Sequence, residues 1–164
     1  MVDCKALAKD NIGHQEGPVA ANQWRALYVA LDEGLNDEQT LALFEALYAE
    51  SNFRNLGNPK VPKSMSIPHD AEGTDHDSVG VLQQRVNLDG SSRGWGTVEE
   101  AMDPDHAMRQ FAERAKGSSK RGKGAQKVAQ EVQNSAFSSG SNYLAKDSAA
   151  RDLIGRLKGA CGTS

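Results

Sequence analysis

The pattern of apolar positions first becomes regular at Pro18. Val19, Trp24, Leu27, Tyr28 and Leu31 recur at roughly helical spacing and predict a helix from Pro18 to near Gly34. A second helix is predicted after Asn36, which with Gln39 three residues on has the spacing of a capping box. Thr40, Leu43, Phe44, Leu47 and Tyr48 give it an apolar face up to about Asn52. Residues 57–77 carry Gly57, Pro59, Pro62, Pro68 and Gly73 and read as a long loop, a length that usually signals function or mobility. Residues 78–85 alternate locally and read as an extended segment. Helical spacing returns with Thr97 and Glu100 as a start signal, and with Asp103–Pro104 as N-cap and first residue of a helix to about Ala115. Residues 116–124, KGSSKRGKG, read as a flexible basic loop. Ala125, Val128, Ala129 and Val132 share a helical face up to about Ala136, and a last helix opens at Asp147 or Ser148 and stops at Gly159. Residues 1–17 are polar without a sustained period and read as a leader, and 160–164 as a tail. The predicted class is mainly α (α+β): a helical domain over 18–159 with a small extended or loop-rich lobe.

Composition narrows the picture. A chain of 164 residues is one domain and buries enough surface to fold without metals or disulfides. Its net charge of −3 argues against a dedicated nucleic-acid binder. No apolar run is long enough to span a membrane, and no charged segment precedes a hydrophobic one as in a secretory signal. These features predict a chain that is either made inside a cell or excised from something larger, and that is not inserted in a membrane. Cys4 and Cys161 stand near the two ends, outside any metal-binding spacing. They read as two inert thiols, although termini are often close enough for a disulfide.

One residue stands out chemically. On a helical wheel Glu50 borders the stripe of Leu43, Phe44 and Leu47, whereas Glu45 falls on the more polar side. A carboxyl at an apolar edge near a helix C-terminus is disfavoured as an anion, because burial and the negative helix end both favour its proton. A carboxylic acid that keeps its proton near neutral pH is what protonation of a glycosidic oxygen requires.

The residues around Glu50 sharpen this reading. Residues 42–55, ALFEALYAESNFRN, resemble the helix that carries the catalytic glutamate in the soluble lytic transglycosylase and goose-type lysozyme superfamily. Ser78-Val79-Gly80-Val81-Leu82-Gln83-Gln84 stands where that family has S-x-G-L-F-Q-Q, with Val81 and Leu82 replacing the commoner pair. Trp95-Gly96-Thr97, Met102-Asp103-Pro104 and Val132-Gln133-Asn134-Ser135-Ala136-Phe137, followed by Tyr143, resemble elements of its actinobacterial and actinophage branch. The resemblance covers about residues 38–145.

It implies a lysozyme-like fold whose small lobe lines a cleft. It also implies a peptidoglycan-cleaving glycosidase, such as a phage endolysin catalytic domain, made in the host cytoplasm and acting on the wall. Glu50 is the implied general acid. In the transglycosylase route it then acts as base on the muramic C6 hydroxyl, so one carboxylate suffices. Hydrolysis with inversion needs a second carboxylate about 6.5–9.5 Å away to place a water. The goose-type pattern points to Asp75 for that role. Implied substrate contacts are Ser51, Asn55, Ser78, Gly80, Gln83, Gln84, Gln133 and Tyr143. In an extended segment Gln83 and Gln84 point to opposite sides, with Gln83 toward the sugar. Trp95 could stack on a sugar or pack in the core, and Lys116, Lys120, Arg121 and Lys123 could attract polyanions. His69 and His76 lack the regular spacing of a metal site, so the expectation is a monomer without metal or cofactor that binds glycan strands. The alternatives are a hydrolytic lysozyme or chitinase-like enzyme and a non-catalytic wall-binding module of the same fold.

Overall fold

The structure, a computed structural model, describes residues 3–89, 94–134 and 139–162. It is mainly helical, with nine helices and two small two-stranded sheets among those residues. None of these helices is long and apolar enough to cross a membrane.

The N-terminal segment differs from its reading as a leader. Cys4–Ile12 forms helix α1, capped by the Asp3 side chain, which accepts from the amides of Lys5 and Ala6. Ala8 is fully buried and α1 packs against α2, Pro18–Asp32. One buried alanine and Cys4 are a weak periodic signal, so the sequence does not announce this helix. Cys4 and Cys161 are not free thiols. They form a disulfide with Cα atoms 5.1 Å apart, a spacing ordinary for such bonds, and it ties α1 to the end of the last helix.

Helix α3, Asp37–Glu50, runs through the centre of the molecule. The Asn36–Gln39 capping box forms as the spacing predicts, so the first turn is satisfied locally. Residues Leu41 to Leu47 are all buried, since α3 packs against α6, α7, α8 and α9. Such a helix is surrounded rather than amphipathic. That is why Glu45, on its expected polar side, is in fact fully buried.

Beyond α3 lies a small lobe. Residues 57–77 are not structureless: they hold α4, Pro62–Met65, and a parallel pairing of β1, Leu56–Gly57, with β2, Ala71–Glu72. The fully buried Asn58 organises this stretch. Its side-chain amide donates to the carbonyls of His76 and Ser78, and its backbone amide donates to Ser64 Oγ. Residues 78–85 form a hairpin, not one extended segment. β3, Ser78–Val79, turns through 80–83 and returns as antiparallel β4, Gln84–Arg85. The lobe has its own core of Val61, Val79, Val86, Val98, Ala101 and Met102.

The remaining helices complete the main core. α5, Val98–Ala101, carries the Thr97–Glu100 capping box, and α6, Pro104–Lys116, is capped by Asp103 as expected. α7, Ala125–Gln133, is followed by α8, Ser141–Leu144, and α9, Asp147–Ala160. The predicted extension of α7 to Ala136 reaches Ser135 and Ala136, which lie outside the described residues, as does Phe137.

Candidate active site

Glu50 is the last residue of α3, and the chain turns sharply behind it. Asn52 and Phe53 both adopt positive φ, 55° and 63°, a conformation unusual for a residue as bulky as phenylalanine. The surroundings over-determine the turn. The Phe53 ring is fully buried, meeting Phe44 and Tyr48 edge-on at centroid distances of 5.8 and 4.9 Å. Its amide donates to Leu47 O and its carbonyl accepts from Asn22 Nδ2 at 2.9 Å. Local strain held by packing is typical of functional sites.

The hairpin turn supplies the other wall. Val81 and Leu82 are fully buried in the main core, which inserts the turn between α3 and α7. Its carbonyls then grip both helices: Val81 O accepts from Ser51 Oγ at 2.6 Å, and Leu82 O from Gln133 Nε2 at 2.8 Å. The same Nε2 donates to Glu50 Oε2 at 3.1 Å. Because a carbonyl only accepts, Leu82 fixes the Gln133 amide with its N–H groups toward Glu50. Gln133 therefore orients the carboxyl.

Glu50 is half-buried and its pKa is pushed up to about 7. Burial is the largest cause. The Gln133 hydrogen bond opposes it by favouring the anion, and the negative charge of Asp75 adds to the rise. Asp75 is exposed, with His76 Nδ1 2.7 Å from its Oδ1. Near neutral pH Glu50 holds a proton part of the time, so it can deliver one and take one back.

Several residues read as substrate contacts are engaged within the protein. Ser51 is buried and spends its hydroxyl on Val81. Asn55 is buried and donates to Met102 O at 2.8 Å and Pro68 O at 3.3 Å, tying the lobe to the end of α5. Ser78 is buried, with its carbonyl accepting from Asn58. Gly80 has φ 85°, and a Cβ there would lie 2.1 Å from Ala101 O, so the close approach that demands glycine is to the protein's own backbone. Gln83 sits in the turn with positive φ and donates to Gly80 O at 2.9 Å. Gln84 is buried and donates to Ala107 O at 3.0 Å, in the first turn of α6. Tyr143 is fully buried in the main core on α8, which packs against α3 and α7. Trp95 packs against the main core with the Arg114 guanidinium 3.5 Å from its ring centroid, so one face is already covered.

The two glutamines of the hairpin are thus distinguished by burial, not by strand alternation. Gln84→Ala is expected to lower stability by about 1–3 kcal/mol, because it removes a buried side chain together with its hydrogen bond to the Ala107 carbonyl. Gln83→Ala is expected to leave stability within about 0.5 kcal/mol of wild type. Chemical denaturation of both variants checks this; equal losses would contradict the hairpin geometry.

The sequence reading missed three structural carboxylates and an amide. Asn58 places the Asp75–Ser78 stretch, and its G-N-P context reads only as a turn. Glu45 is buried against Asp147. Glu38 and Glu131 organise the basic loop from two sides. None has a local signature, since each partner is distant in sequence. No protein-family model matches this chain, and no curated protein matches it.

Proposed function

We propose that this protein is a glycosidase with a lysozyme-like fold that cleaves the β-1,4 bond between N-acetylmuramic acid and N-acetylglucosamine in peptidoglycan. The observation that carries the reading is Glu50: a half-buried carboxyl at the end of a buried helix, raised to about 7 and oriented by Gln133. The ordered resemblance of residues 38–145 to the lytic transglycosylase and goose-type lysozyme superfamily supports the same chemistry. Glu50 protonates the bridging oxygen as the glycosidic bond breaks. The resulting carboxylate then removes the proton from the muramic C6 hydroxyl as that oxygen closes on the anomeric carbon, giving a 1,6-anhydro end. This route consumes no water and returns the proton to Glu50.

Asp75 supports a second reading, because its negative charge adds to the raised pKa of Glu50. In a hydrolytic enzyme that carboxylate holds a water on the opposite face of the sugar. A mass spectrum of digested peptidoglycan tests both. Anhydro-muramic products with activity little changed in Asp75→Asn are the expected result. Reducing ends, with a loss on the order of 100-fold in Asp75→Asn, would establish hydrolysis instead. Intact glycan strands after digestion by wild-type protein would remove the glycosidase reading altogether.

A further inference from the structure

The basic segment 116–124 is not the flexible loop its composition suggests. Two carboxylates clamp it by its backbone. From the first turn of α3, Glu38 accepts from the amides of Gly122 at 2.8 Å and Gly124 at 3.0 Å, one bond to each oxygen. From α7, Glu131 accepts from the Ser119 amide at 2.9 Å with one oxygen and from the Ser119 hydroxyl with the other. Ser118 is buried and its hydroxyl accepts from the Lys120 amide. The loop is therefore held in one shape with its side chains turned outward.

Four cations stand on or beside it. Lys120, Arg121, Lys123 and Lys127 are all exposed, and none forms an ion pair among the described residues. The nearby carboxylates Glu38, Glu131 and Asp37 keep their negative charge, the first two while bonded to the loop backbone and Asp37 beside Lys158, and offset the four cations only in part. Elsewhere on the molecule, cations commonly have carboxylate partners, as Arg109, Arg151 and Lys63 do. In a chain of net charge −3 this is a local positive surplus on a pre-shaped support.

The surface also has concave relief. Lys120 and Lys127 border a cleft of about 460 Å³ that Gln130, Glu131, Asn134 and Ser139 also line, two cations against one carboxylate. Arg121 borders a second, wider hollow at the start of α3, but Asp37 and Glu38 line that hollow too and make it unsuited to an anion. The first cleft lies along α7, and Asn134 directly follows Gln133, the residue that orients Glu50. A polymer lying in it would run toward the end of α7 that meets the active site.

We propose that this clamped loop and the cleft beside α7 form a binding surface for a phosphodiester-linked polyanion of the cell wall. The proposal rests on the peptidoglycan reading only in its choice of a wall polymer as ligand. A phosphodiester chain offers a permanent charge at each repeat, which suits four cations spread over a loop beside a cleft. A stem peptide offers one or two carboxylates, too few to engage all four. Backbone clamping keeps the ordering cost of binding low, because the loop is already shaped before the polymer arrives.

The test uses poly(glycerol phosphate) as probe, which contains no bond that the proposed glycosidase cleaves. Wild-type protein is compared with the quadruple variant Lys120→Gln, Arg121→Gln, Lys123→Gln, Lys127→Gln. A control with the same charge change carries Lys9→Gln, Lys63→Gln, Lys146→Gln and Arg156→Gln at exposed positions. The expected result is salt-sensitive binding by wild type, weakened on the order of ten-fold or more in the quadruple variant and much less in the control. Purified walls should show the same order, and removal of their phosphodiester polymers should erase the difference between wild type and quadruple variant. Equal weakening in the control, wall binding unaffected by that removal, or tighter binding to duplex DNA at equal phosphate would each overturn the proposal. Polymer binding by a protein that leaves peptidoglycan uncut would uphold this surface while removing the glycosidase reading.

Discussion

Replacing Glu50 with glutamine is expected to abolish most wall-lytic turnover, by on the order of 100-fold or more, while leaving the fold intact. The amide is nearly the size of the carboxyl and can still meet Gln133 and the surrounding apolar surface, so the half-buried position remains filled. What disappears is the proton that the leaving oxygen must receive. The same residue sets the alkaline limb of the pH profile. Burial holds Glu50 at about 7, so the competent protonated form is abundant below that value and falls about ten-fold per pH unit well above it. Turbidity loss of purified walls across pH 5 to 9 reads this directly. A folded Glu50→Gln protein with near-normal lysis would end the assignment of Glu50 as the acid.

Glu45 is expected to make the protein progressively less stable as pH rises toward 9. It is fully buried on α3 beside Asp147, the first residue of α9, and its pKa is pushed up to about 9. Burial is the main cause, followed by the proton that Glu45 shares with Asp147 and by the negative charge of Asp147, while Arg151 pulls the other way. The Asp147 carboxyl also meets a burial cost. The Arg151 hydrogen bond at 2.7 Å and the Glu45 proton outweigh it and hold Asp147 below its ordinary value.

The sign of the pH effect follows from proton counts. In the unfolded chain Glu45 ionises near its ordinary value of 4.5, whereas the folded protein keeps that proton to about pH 9. Between these values the unfolded state binds fewer protons. The stability is therefore complete below about pH 4.5 and falls by up to about 1.4 kcal/mol per pH unit as pH rises. Glu45→Gln removes the titrating group at nearly constant volume. Melting curves from pH 5 to 9 should thus be flatter for the variant, with the largest difference at the alkaline end. Glu50 contributes equally to both proteins and cancels in the comparison. Parallel curves would show that Glu45 keeps an ordinary pKa in the folded protein.

What the linear sequence determines here is local and periodic. The capping boxes at Asn36–Gln39 and Thr97–Glu100, and the Asp103–Pro104 start, form as the spacing predicts because each is closed by residues three or fewer apart. Glu50 is legible for the same reason: its place on the apolar border follows from residues of its own helix. What only the tertiary structure decides depends on partners far along the chain. Cys4 meets Cys161 only because α1 and α9 come together. The Gln133 amide reaches Glu50 only because Leu82, in a turn that the alternation disguises as a strand, faces both α3 and α7. Glu45 falls on the expected polar side of its helix, yet α9 covers that side and turns a surface carboxyl into a buried acid. Helical periodicity records which residues share a face, but not whether that face will meet water. The position of the neighbouring helices decides that, and with it the charge state of the carboxyl.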